Sequence, residues 1–379
     1  MSALDFEWAL ELRRTDDTHL TQVRISPRWG PAREWIRLLA ARRGVIPLGT
    51  AARVAEAEPR WHPTRGAPFA SGFRARLAER AGQSVAADFS LTYFADVARQ
   101  ASSSLVESGV LKEGEQFLYL PIAYPRDTAT SPEGTPSLLR ELDALVPILE
   151  QDMRALHGRS DNRGTTTRGD MPVFIPQQVL DEASDRARHE PGREVGGVLI
   201  GRIHRDNHAR NRSRRRDLFM EVTAQIPARA DGDGTRLSFT ADTWTDVQAA
   251  LTLRRQGEVM LGWWHSHLMH VLCGSCPTAR QQTCALASGF LSADDRALHT
   301  TVFPRAYSIA LVMSLKTDDT ISEALFGWRM GLIARRGFSV IDARERVGAV
   351  QTPLGNEPAG DHPQADATPE CSLTDSRGS

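Results

Sequence analysis

Lysine is almost missing from this chain. Lys112 and Lys316 are the only two in 379 residues, so arginine supplies nearly all of the positive charge. GC-rich coding explains the shortage most simply. Basic and acidic side chains nevertheless balance, 46 against 47, which leaves a formal charge of −1 and argues against a nucleic-acid binder. Cysteine is scarce as well. Four in a chain this long make no disulfide framework, although Cys273, Cys276 and Cys284 fall close enough together to suggest a metal site. Long apolar runs are also lacking. The longest stretch without charge, Val259 to Ala279, contains three histidines, two cysteines and Pro277, a poor bilayer span. The opening MSALDFEWAL carries acids and no basic segment ahead of an apolar one. No secretory signal is therefore expected, and a cytoplasmic protein with no membrane partner is. With 41% hydrophobic and 25% charged residues, the remainder has an ordinary globular composition.

Composition divides the chain into an expected N-terminal α+β domain (1–156), a polar Gly- and Thr-rich linker (157–170), a second domain (171–346) and a disordered tail (347–379). In the first domain, Phe6, Trp8, Leu10 and Leu12 alternate as in a strand. Pro31 to Arg43 predicts a helix, with proline in the first turn and Gly44 just past the end. Phe117 to Ala123 predicts another strand, and Ser137 to Leu156 a helix with Pro147 inside it. No catalytic chemistry is visible there. In the second domain, strands are expected at 173–175, 195–203, 218–226, 259–264 and 307–315. Helices are expected at 177–189, 240–255 and 292–301. Interleaved strands and helices predict a mixed β-sheet sandwiched by helices.

Three features of the second domain carry chemistry. His265-Ser266-His267 follows an apolar strand, Glu194 opens an earlier one, and Ser292-Ala293-Asp294-Asp295 starts a helix. In extended backbone, residues i and i+2 point the same way, so His265 and His267 can offer both imidazoles to one ion. One added carboxylate gives two nitrogens and an oxygen, with a fourth tetrahedral position left for water, as in catalytic zinc sites. A further carboxylate outside the metal shell can then serve as proton acceptor. Each piece alone has a plainer reading: a structural His-x-His, a solvated Glu194 and an N-capping Ser292.

Together, Glu194-Val-Gly-Gly-Val-Leu-Ile-Gly, Gly262-Trp-Trp-His-Ser-His and Ser292-x-x-Asp295 resemble the signature of the JAMM (JAB/MPN) zinc metalloproteases. The resemblance covers roughly Met171 to Val340 and implies a JAB/MPN fold with cytidine-deaminase-like layering. It implies His265, His267 and Asp295 as ligands of a catalytic Zn2+, and Glu194 as general base and acid. It also implies that Ser292 helps stabilise the oxyanion. Family members cleave after the C-terminal glycine of ubiquitin or ubiquitin-like proteins. The implied partners are therefore a ubiquitin-like protein or its conjugates and, in a bacterial or antiphage operon, cognate activating and conjugating enzymes. A non-catalytic scaffold and a precursor-processing peptidase remain alternatives.

Two positions depart from the family pattern. Leu268 stands where proline is usual, and 24 residues separate His267 from Ser292 where the family has seven. Asp294 competes with Asp295, but only Asp295 has serine three residues before it. The insert at 268–291 holds His270, Cys273, Cys276 and Cys284, one nitrogen and three sulfurs, the ligand set of a structural zinc site. A second Zn2+ and three reduced, unliganded thiols are equally good readings. Seven arginines between Arg202 and Arg216 predict a solvated hairpin loop, and Trp244, Trp263 and Trp264 predict core packing.

Overall fold

The computed structural model describes residues 6–342, apart from 53, 81–82, 126–142, 208–216, 230–238, 274–288, 317 and 319. The expected tail at 347–379 lies outside the described residues.

Five strands of the first sheet stand in the order β2 (His19–Ile25), β1 (Phe6–Arg14), β6 (Phe117–Pro125), β4 (Gly66–Arg80), β3 (Val54–His62), and β5 (Gln83–Ser90) also pairs with β4. The alternation read in β1 is only half of its pattern. Ala9 and Glu11 are buried along with Trp8, Leu10 and Leu12, so both of its faces are covered. Helix α1 (Gly30–Arg42) ends as its sequence demands. Gly44 takes a left-handed φ of 71°, its N–H donates to Ala41 O at 2.9 Å, and Val45 N–H reaches Ala40 O at 2.9 Å. That pair of bonds satisfies carbonyls that the helix leaves open. A 3-10 turn at Leu91–Phe94 leads into α2 (Ala95–Glu107).

The second sheet contains ten strands. Its main path runs β15 (Leu332–Arg336), β14 (Ile321–Arg329), β13 (Ile309–Leu315), β12 (Val259–Leu268), β10 (Gly196–Asp206), β11 (Leu218–Pro227), β9 (Val173–Pro176), β16 (Phe338–Ile341), β8 (Ser160–Arg163). Strand β7 (Ile148–Gln151) pairs in parallel with the end of β10. Alternation along β10 sends its side chains two ways. Val198 and Ile200 pack with Val247 of α5 (Ala241–Arg254), whereas Leu199 and Ile203 join a core that includes Val179, Leu180 and Ala183 of α4 (Gln177–His189). The fold class is thus mixed α/β. Trp263 and Trp264 divide in the same manner, one into each of two apolar clusters, and both are fully buried. Each large apolar side chain removed from water contributes about 1.5–3 kcal/mol, so these strands are anchored firmly.

The described residues belong to one compact unit. The expected division at 157–170 falls inside it. A single core cluster runs from Trp8 to Val340, and Ser160–Arg163, within the expected linker, pairs with β16. A polar edge strand is held by backbone hydrogen bonds, so composition did not reveal it. The expected helix over 137–156 is also corrected. Of its described part, residues 148–151 are the strand β7, and the helix α3 covers only Met153–His157. Pro147 cannot donate into a helical ladder, and Asp152 starts α3 as N-cap, accepting from Arg154 N–H at 2.9 Å. Two more helices are α6 (Met269–Leu272), inside the insert, and α7 (Ala293–Val302), which follows it. No helix among the described residues is long and apolar enough to cross a membrane.

Candidate metal centre and active site

The centre is assembled by three backbone segments. Strand β12 runs between β10, antiparallel, and β13, parallel, so its far end is enclosed on both sides. Glycines permit the close approach of β12 to β13 and of β10 to β11. A Cβ at Gly262 would overlap the carbonyl of Ile309, and one at Gly197 would overlap that of Ile226. Strand β12 continues through the histidines to Leu268, past the end expected at Trp264. His265 and His267 therefore share a face, with 0% and 3% of their surface exposed.

Glu194 lies two residues before the start of β10, and the backbone beside it is pinned. Ser266 Oγ accepts Val195 N–H at 2.9 Å, while Ser266 N–H donates to Val195 O at 2.7 Å. The third segment is the start of α7. Ser292 Oγ accepts Asp295 N–H at 3.1 Å, and Asp295 Oδ2 accepts Ser292 N–H at 2.8 Å. This reciprocal capping box fixes the Asp295 carboxylate before it meets the histidines.

The two imidazole Nε2 atoms lie 2.8 Å apart. Asp295 Oδ1 is 3.3 Å from His265 Nε2, and Oδ2 is 3.5 Å from His267 Nε2. One donor atom from each of the three residues falls within 4.8 Å of the others. Donors around a tetrahedral zinc stand roughly 3.3 Å apart, given bond lengths near 2.0–2.1 Å. Two nitrogens and a carboxylate converging on one point at that spacing fit a metal ion. A proton shared between the rings would leave the carboxylate facing a lone pair. His265 Nδ1 and His267 Nδ1 are buried without a hydrogen-bond partner among the described residues.

Electrostatics follow from this enclosure. Burial pushes Glu194 up to about 7; the negative Asp295 adds to that and the charge of His265 opposes it. Burial also disfavours the Asp295 carboxylate, yet hydrogen bonds from both histidines, the His265 charge and the Ser292 N–H hold it well below the usual carboxylate range. His267 is lowered, chiefly by burial. At neutral pH the cluster thus offers an ionised carboxylate and, at His267, a neutral imidazole. Both are the forms that bind metal.

Asp294 is exposed and is not among the three converging residues. His270 on α6 is exposed and Cys273 at its end is buried, while Cys276 and Cys284 lie outside the described residues. So does most of the arginine-rich loop. Trp244 packs against the core, as do Trp263 and Trp264. Ser266, Phe290 and His299 also contribute to this centre, and no motif in the sequence assigns them a role there. Phe290 sets its ring 4.5 Å from that of His267, and His299 accepts the Trp263 indole N–H at 3.1 Å. His299 could have been found by counting, because it follows Asp295 by one helical turn.

The profile of prokaryotic homologs of the JAB domain matches residues 176–271, which hold Glu194, His265 and His267 and end before Ser292 and Asp295. The chain carries a JAB/MPN-family domain. The JAB match stops just inside the insert, beyond which the helix bearing the third candidate ligand resumes. Among solved structures, the solution structure of protein DSY2949 from Desulfitobacterium hafniense is 19% identical. The match covers 47% of this chain and 99% of that one at a TM-score of 0.30, too slight a likeness to argue from. No curated protein matches the chain.

Proposed function

We propose that this JAB domain is a zinc-dependent peptidase or isopeptidase that cleaves after the C-terminal glycine of a ubiquitin-like protein. One observation carries the reading: His265, His267 and Asp295 converge beside a carboxyl group, Glu194, whose affinity for protons is raised to neutrality. Zinc at these ligands would polarise the scissile carbonyl and lower the pKa of water at its open position to about 7. Glu194 accepts the proton of the attacking water and returns it to the leaving amine. A group with pKa near 7 suits both transfers. Ser292 Oγ is an acceptor toward Asp295 N–H, so its own hydroxyl proton is available to the developing oxyanion. The ubiquitin-like substrate, like cognate activating and conjugating enzymes as partners, rests on the resemblance of these residues to the JAMM signature.

The test is cleavage of a linear ubiquitin-like fusion and of an isopeptide conjugate, with and without a zinc chelator. The expected result is cleavage that the chelator stops and added zinc restores. Cleavage indifferent to the chelator contradicts a zinc mechanism, and resistance of every glycine-terminated substrate favours a scaffold. Preference for the fusion over the conjugate identifies precursor processing.

A further inference from the structure

The donor set is divided between two elements, β12 with both histidines and α7 with Asp295, so something must hold these elements in register. His299 is placed to do it. It lies on α7 one turn after Asp295, is fully buried, and its Nδ1 accepts the indole N–H of Trp263 on β12 at 3.1 Å. The Trp263 ring in turn stacks on the His265 ring, with centroids 4.6 Å apart and planes inclined by 14°. An unbroken chain of contacts thus runs from α7 through His299 and Trp263 to the first candidate ligand. The Trp328 ring also packs on His299, with centroids 5.3 Å apart, and its indole N–H donates to Phe303 O at 3.0 Å, which ties down the end of α7.

A histidine is a costly choice here if packing were the only purpose. Its Nε2 is buried with no hydrogen-bond partner among the described residues, and an aliphatic side chain would have avoided that. Burial lowers its pKa to about 3, so the ring is neutral and Nδ1 remains an acceptor. What histidine supplies, and leucine does not, is that acceptor.

We infer that His299 is a positioning residue for the metal centre: by accepting the Trp263 indole proton it fixes the spacing between the His265–His267 pair and Asp295. The inference rests on the reading that these three residues hold zinc. It is tested by zinc affinity, measured by competition with a chromophoric chelator on full-length wild type, H299Q, H299L and the double variant W263F/H299L. Glutamine keeps an acceptor. The double variant removes donor and acceptor together, so no buried polar group is stranded; the cavity left by the smaller ring lowers its metal-free melting temperature, which is measured alongside so that lost stability and lost zinc affinity are read separately. Wild type and H299Q are expected to bind zinc alike, whereas H299L and the double variant bind about 10–100-fold more weakly, the usual effect of losing a group that orients ligands. Zinc binding by the double variant as tight as wild type overturns the inference alone, as does H299Q weakened as much as H299L. Wild type that takes up no zinc overturns the reading of the site and this inference with it.

Discussion

Glu194→Gln lowers kcat/KM on a glycine-terminated ubiquitin-like fusion by about 10²–10⁴-fold, the usual loss when a positioned general base is removed. The amide keeps the size and hydrogen-bonding capacity of the carboxyl group but cannot take a proton. Zinc content should therefore be unchanged, because Glu194 is not among the three residues that converge as ligands. The wild-type rate should rise with pH along a limb set by Glu194. In the metal-free protein its pKa is raised to about 7, chiefly by burial. A cation among the neighbouring donors would favour the carboxylate, so the limb of the loaded enzyme lies below that value. Stability has the opposite slope. A raised folded-state pKa means that protonation favours the fold. This contribution is complete below the ordinary value of 4.5 and is lost as pH rises to about 7. Melting curves of the metal-free protein should show wild type losing stability relative to Glu194→Gln across that interval. A rate that is independent of Glu194, or parallel melting curves, would remove the residue from its role.

The second large effect concerns Asp295, whose carboxylate does two jobs. Oδ2 accepts the Ser292 N–H in the capping box, and both oxygens face the histidines. Asp295→Asn separates the jobs, since an amide oxygen can still cap but no longer brings a charge. Zinc affinity is expected to fall by at least 10–100-fold, the scale on which even outer partners of a metal site act, and the metal-free protein to melt lower at neutral pH, because the ionised carboxylate, held below its usual pKa by the histidines, favours the fold. Asp295→Ala loses the cap as well and should cost about 1 kcal/mol of stability in addition. Equilibrium dialysis against zinc, paired with thermal melts in chelator, reads both quantities. An asparagine variant that keeps wild-type zinc affinity would exclude Asp295 as a ligand.

The elements that build the centre were legible because their sequence patterns are local. Apolar runs exposed β10 and β12, the Pro31 and Gly44 brackets marked α1, and Ser292 with Asp295 announced both a helix start and a candidate ligand. Serine three residues ahead also favoured Asp295 over the exposed Asp294, and it is Asp295 that converges with the two histidines. What escaped notice depends on partners distant in sequence. Ser160–Arg163 is a strand only because β16 lies beside it, and nothing in four polar residues says so. Ile148–Gln151 looked helical until its pairing with β10 is considered. Ser266 points to the side opposite the histidines, so the parity that reveals His265 and His267 conceals its bond to Val195. His299 was hidden by the ordinary prior that a lone histidine is a packing residue.

The measurement closest to the central claim is anomalous diffraction at the zinc edge from a crystal of the zinc-loaded protein. A single peak bonded at about 2.0–2.2 Å to His265 Nε2, His267 Nε2 and an Asp295 oxygen, with the Glu194 carboxyl group facing the remaining position, is the predicted result. No peak between these residues at saturating zinc, with the two Nε2 atoms still 2.8 Å apart, would contradict it.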